Sequence, residues 1–100
     1  MMTKRSKKTR KRMSLQKLRI EVDHIDRELM SLLNRRIRLA RRIGLFKARN
    51  GQKIFDASRE KTLMRKLIAR NRGPIETSEL SSIYRIILRT SRRHQRKVRK

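Results

Sequence analysis

Residues 18–47 read LRIEVDHIDRELMSLLNRRIRLARRIGLFK. Within them Leu18, Val22, Ile25, Leu29, Leu32, Leu33, Ala40 and Ile43 recur mostly at steps of three and four, which draws one apolar stripe along a single α-helix. Two positions break the stripe. Arg36 lies four after Leu32 and four before Ala40, and Lys47 lies four after Ile43. A cation on a face meant for burial is costly unless an anion meets it. The helix therefore either buries two unpaired charges or lines a site for an anion.

The same helix is long for its chain. With Ser14 as N-cap and an end near Ala48, it spans roughly 50 Å. A compact domain of this size has a radius of gyration of only about 13 Å. The helix is thus expected to overhang its own protomer and to need a second chain over its stripe. The fold expected is all-α: a three-helix chain with one very long first helix, paired as an intertwined helical homodimer. A break near Gly44 is the alternative, although one mid-helix glycine costs only about 1 kcal/mol against alanine.

Composition supports pairing. The chain has 100 residues, 35% of them apolar, and three aromatics, Phe46, Phe55 and Tyr84. Such a thin aliphatic core favours oligomerisation. There is no cysteine, which fits a reducing, cytoplasmic setting. Two histidines and scattered carboxylates give no metal-ligand spacing. No apolar run approaches a membrane span, and no apolar signal core follows the basic start.

Charge is extreme, with 32 Lys plus Arg against eight Asp plus Glu. Residues 1–13 carry seven cations and no acid, and residues 92–100 carry six and no acid. The first stretch is expected to be a disordered basic arm, followed by one helical domain over residues 14–95 and a basic end over 96–100. Such a chain draws in anions of every kind, including nucleic acid bound non-specifically through the tails. No aromatics interleave with the basic runs, which speaks against a dedicated single-strand binder.

Beyond the long helix, Arg49 to Gln52 signals a turn. Asp56 is placed to cap a second helix whose stripe is Leu63, Met64, Leu67 and Ile68. Glu60 lies four before Met64, and Arg59 four before Leu63. A charged pair again sits on the buried side, as a structural salt bridge or as part of a site. Asn71 to Pro74 ends this helix. Thr77 can cap a third, whose apolar face is Leu80, Ile83, Tyr84, Ile87 and Leu88. Extended, that face meets Ser91 and then Gln95, so either the helix end emerges into water or two neutral polar groups face the interior. His24 reads as a surface histidine. His94, among Arg92, Arg93 and Arg96, reads the same way.

Arg36, Lys47, Arg59, Glu60, Ser91 and Gln95 all interrupt apolar stripes. If the three helices pack together, all six can line one pocket. It would have no nucleophile beside a base, no metal and no cofactor loop. It suits a small, multiply anionic molecule, acted on by orientation and by stabilisation of developing charge.

At these residues the chain resembles a family, the all-helical chorismate mutases. The matching positions are Leu18-Arg19, Asp23, Asp26, Leu32-Leu33 and Arg36, then Gly44 to Lys47, then Asp56 with Arg59-Glu60, then Ser91 with Gln95. They extend over roughly residues 15–95. The resemblance implies an intertwined dimer with two equivalent sites and the Claisen rearrangement of chorismate to prephenate, with no cofactor. It implies that Arg36, and Arg19 from the partner's long helix, grip the two substrate carboxylates. Lys47 and Gln95 would bond the ether oxygen, Glu60 and the Asp56 region the ring hydroxyl, and Arg59 and Ser91 would complete the carboxylate wall. Two features exceed what the family needs, the total charge and the crowding of Arg38, Arg41 and Arg42 around Arg36. Other readings remain. One is an isochorismate-pyruvate lyase of the same fold, another a basic helical nucleic-acid-binding protein, and a third a non-catalytic scaffold dimer.

Overall fold

A computed structural model describes residues 3–98 of the chain, with side chains from residue 14 onward. Its described residues form three helices, α1 (Thr3–Arg49), α2 (Ala57–Arg70) and α3 (Thr77–Lys97). The fold is all-α, as the spacing of apolar residues predicts.

α1 is continuous through Gly44, so the alternative of two shorter helices does not hold. It begins at Thr3 rather than at Ser14. Ser14 is therefore inside the helix and caps nothing, because helical backbone already extends past it. The expected basic arm, residues 1–13, falls where side chains are outside the described residues. α1 ends in the hydrogen bonds of a Schellman turn. Gln52 N–H donates to Lys47 O at 2.8 Å and Gly51 N–H to Ala48 O at 3.5 Å. Gly51 holds φ +62°, a left-handed conformation that glycine adopts without strain.

α2 starts as expected on Asp56, whose carboxylate accepts the Arg59 N–H at 3.0 Å. α3 starts one residue earlier than expected. Its N-cap is Glu76, not Thr77, and the Glu76 N–H donates to Glu79 Oε1 at 3.0 Å. That reciprocal bond ties down a backbone N–H at the helix entrance. α3 continues to Lys97, so Arg96 and Lys97 of the expected basic end are helical, and residues 99–100 lie outside the described part.

The chain divides into two units, Met1–Asn34 and Arg35–Lys100. In the first, Leu18, Val22, Ile25, Leu29 and Leu32 are all more than half exposed. The stripe that defines the helix is thus exposed among the described residues. In the second unit, Ala40 is the only buried apolar side chain among the described residues. Beside it the buried groups are Gly44, Ser91 and Gln95. The best-buried part of this chain is thus a polar crossing of helices rather than a hydrophobic core.

Candidate active site

That crossing is set by Gly44. A Cβ at this position would stand 2.6 Å from the Gln95 carbonyl oxygen and 2.7 Å from its Cα. α3 backbone occupies the space that any side chain would need. One turn earlier on α1, Ala40 is the smallest residue that still has a Cβ, and it is 3% exposed. Small residues at 40 and 44 bring α3 against α1, and the polar residues beside them are carried into contact.

Arg36 donates to the Ser91 hydroxyl in a short hydrogen bond. Ser91 in turn donates to the Ile87 carbonyl at 2.9 Å, one turn back on α3. Lys47 Nζ donates to Gln95 Oε1 at 3.2 Å and to the Ile54 carbonyl at 2.7 Å. Ser91 and Gln95 lie four apart on one face of α3 and are 4% and 8% exposed. Their appearance on the buried face is therefore not a helix end entering water. Buried polar groups persist when they are hydrogen-bonded, and no buried side-chain nitrogen or oxygen among the described residues lacks a partner.

These groups surround a cavity of about 420 Å³, lined by Arg36, Lys47, Asp56, Arg59, Glu60, Ser91, Arg92 and Gln95 over an apolar floor that includes Leu39, Ile43 and Leu63. The volume falls within the range of about 300–1,000 Å³ usual for small-molecule sites. All six stripe-breaking residues lie on its wall. The chemistry offered is electrostatic. The one hydroxyl among these residues, on Ser91, is held between a guanidinium and a carbonyl with no base beside it, which is not how a nucleophile is activated.

The chorismate mutase type II family model matches residues 18–96. The chain belongs to that family. It is 37% identical over 78 residues to the bifunctional chorismate mutase/prephenate dehydratase of Aquifex aeolicus (strain VF5), a match covering 74% of this chain and 22% of that protein. The chain therefore corresponds to under a quarter of that relative's length.

Within this chorismate mutase family chain, the alternative of an Arg59–Glu60 salt bridge does not hold. Glu60 does not pair with its neighbour Arg59. Its carboxylate takes both oxygens to Nη1 of Arg92 on α3. Arg59 lines the cavity but is exposed, with its backbone N–H committed to Asp56. Arg92, which the sequence reading did not place in the site, is half-buried, and its guanidinium lies over the Phe55 ring at 5.2 Å. The signal for it was present. Leu88 belongs to the apolar face of α3, and four residues further along that track stands Arg92, just as Ser91 follows Ile87.

Arg19 lies in the first unit, is exposed, and is not among the residues lining this cavity. Arg38, Arg41 and Arg42 are exposed as well, so they do not crowd the cavity wall. Arg41 Nε donates to His94 Nδ1 at 3.1 Å, and His94 is half-buried rather than fully at the surface. Partial burial, then the charges of Arg41, Arg93 and Lys97, hold the His94 imidazole below its ordinary pKa. Among the described residues no helix is long and apolar enough to cross a membrane.

Proposed function

We propose that this chain rearranges chorismate to prephenate in the cavity between Arg36, Lys47, Glu60, Ser91 and Gln95. The observation that carries this reading is the Lys47–Gln95 pair. It sets an ammonium and an amide side by side on the wall, backed by the Ile54 carbonyl. In the rearrangement the ether C–O bond breaks as a C–C bond forms within the same molecule. Negative charge builds on the ether oxygen, and no proton need be exchanged with the protein. Lys47 and the amide N–H of Gln95 are the donors assigned to that oxygen. Donors fixed in advance stabilise such charge without reorganising during the reaction.

Arg36 and Arg59, with Ser91, take the substrate carboxylates. Arg suits this task because its planar fork matches a carboxylate. In the resting site Arg36 donates to a neutral hydroxyl, which a carboxylate can outcompete. Glu60, with the Asp56 region, accepts the ring hydroxyl. Holding the reactive conformer supplies the remaining acceleration.

A second copy of the chain completes the assembly. The exposed row Leu18, Val22, Ile25, Leu29 and Leu32 supports this, since burying it stabilises by about 25 cal/mol per Å² of apolar surface. Arg19 is carried on that helix and is assigned to the site of the other copy.

The test is the loss of chorismate absorbance with purified, nucleic-acid-free protein, with prephenate identified as product. Intact chorismate after incubation overturns the reading. Release of pyruvate from isochorismate instead assigns the lyase reaction. A second role is favoured by the net charge of +24 and by the exposed Arg85, Arg89 and Arg93 on α3. Non-specific nucleic-acid binding through such groups, with the basic tails, falls steeply with salt. A salt-independent affinity would exclude it.

A further inference from the structure

Among the described residues, Arg92 is the one cation of the cavity wall with a side-chain bond to a carboxylate. Arg36 is held by the Ser91 hydroxyl, and Lys47 by the Gln95 amide and the Ile54 carbonyl. These acceptors are neutral. Arg92 instead holds both oxygens of Glu60, at 2.6 Å to Oε1, and is steadied from one side by the Phe55 ring. The two side chains are only 21% and 23% exposed. Glu60, Leu88 and Arg92 also line a second cavity of about 470 Å³ between α2 and α3, so the ion pair is a partition between two spaces.

This division has a chemical consequence. A carboxylate in a cavity with three other cations can turn to any of them. If Glu60 were released, it would become an internal competitor for Arg36, Lys47 or Arg59, and a like charge facing an anionic substrate. Charge-assisted bonds are roughly twice as strong as neutral ones, so the competition would be real. We infer that Arg92 is a positioning residue that quenches and orients Glu60, keeping the other three cations available to a dianion while leaving Glu60 able to accept a hydroxyl. A carboxylate has about four lone-pair sites, so holding Arg92 does not exhaust it. This inference rests on the assignment of the cavity to chorismate.

The experiment is steady-state kinetics with chorismate on the full chain and on Arg92→Gln, Arg92→Lys, Glu60→Gln and the Arg92→Gln/Glu60→Gln pair, with thermal unfolding followed for each. Arg92→Gln is expected to raise KM by roughly 10- to 100-fold, the scale of one hydrogen bond to a charged group, with a smaller change in kcat. Arg92→Lys keeps the charge and loses the guanidinium's contact with the ring, so it recovers part of the loss. Because Arg92 acts through Glu60, adding Arg92→Gln to Glu60→Gln changes KM little, a strong departure from additivity. Additive effects would mean that Arg92 meets the substrate itself and would overturn the inference. A lowered melting temperature with unchanged KM would reduce Arg92 to a structural role and also overturn it. If the unsubstituted chain fails to turn chorismate over, the assignment of the cavity falls first. If it turns over and the pair is additive, only the role of Arg92 falls.

Discussion

The two halves of α1 have the same spacing and opposite fates. From Leu18 to Leu32 the stripe is apolar, and every member is more than half exposed. From Arg36 to Lys47 the stripe is interrupted by cations, and it is there that Ala40 and Gly44 are buried against α3. Among the described residues the apolar half is exposed, and the polar half packs on α3. Hydrophobic periodicity thus says which face of a helix is to be covered, but not by which chain. On the proposed reading, the first half is a surface for another copy, and the second half is a site.

The largest effect expected from this contrast lies in the second half. Lys47→Ala should lower kcat by about 10²- to 10³-fold, the usual cost of removing one donor to developing charge. Circular dichroism should show the helices retained, because Lys47 contributes to the cavity rather than to a packed core. Normal turnover by a folded Lys47→Ala would remove the difference between the halves, since the cation would then be incidental.

The first half breaks differently. Ile25→Asp places a charge on the exposed stripe, 60% exposed in the single chain. If a second copy covers it, the lesion occurs in both subunits, and an uncompensated buried charge costs about 3–5 kcal/mol. Sedimentation equilibrium should show monomers, and melting temperature should fall and lose the concentration dependence of a dimer. A protein that remains one oligomeric species with its melting point intact would show that the stripe is free surface.

Gly44→Ala tests how closely the second half is held against α3. Alanine favours helix by about 1 kcal/mol over glycine. Against that, its Cβ would press on α3 backbone at 2.6 and 2.7 Å, and overpacking of this kind costs about 1–3 kcal/mol. Backbone cannot turn aside as a flexible side chain can, so the clash wins. The expected result is a modest fall in melting temperature with a larger fall in activity, because Gln95 is displaced from Lys47. A stabilised, fully active Gly44→Ala would mean that α1 and α3 do not cross so closely.

How much of this was legible in the sequence depends on what each residue must satisfy. The helices, the Asp56 cap and the six wall residues follow from periodicity, because a polar group at a buried register requires a partner. The pairing within the wall was not legible. Arg59 sits beside Glu60 in sequence, yet successive residues on a helix point in different directions, and the carboxylate finds Arg92 across from α3. Arg92 itself was obscured by the basic run around it, where one useful arginine looks like its neighbours Arg93 and Arg96. The start of α3 moved from Thr77 to Glu76 because Glu79 reaches back to the Glu76 N–H, a choice that depends on side-chain geometry more than residue type.

The smallest effect concerns a residue outside the cavity wall. His94 bridges the polar half of α1 to α3 by accepting from Arg41, and the cations facing it are Arg41 on α1 and Arg93 and Lys97 on α3. Accepting at Nδ1 requires the neutral imidazole, and folding depresses its pKa. The unfolded chain, with an ordinary value near about 6.5, therefore binds the proton more readily. Stability from this contact is present above that value and lost as pH falls through the lower folded value. Melting temperature should rise with pH across the window just below about 6.5, and His94→Gln should flatten that portion of the curve. If the slope persisted unchanged in His94→Gln, its origin would lie elsewhere, and the Arg41–His94 contact would not contribute to holding the polar half of α1 against α3.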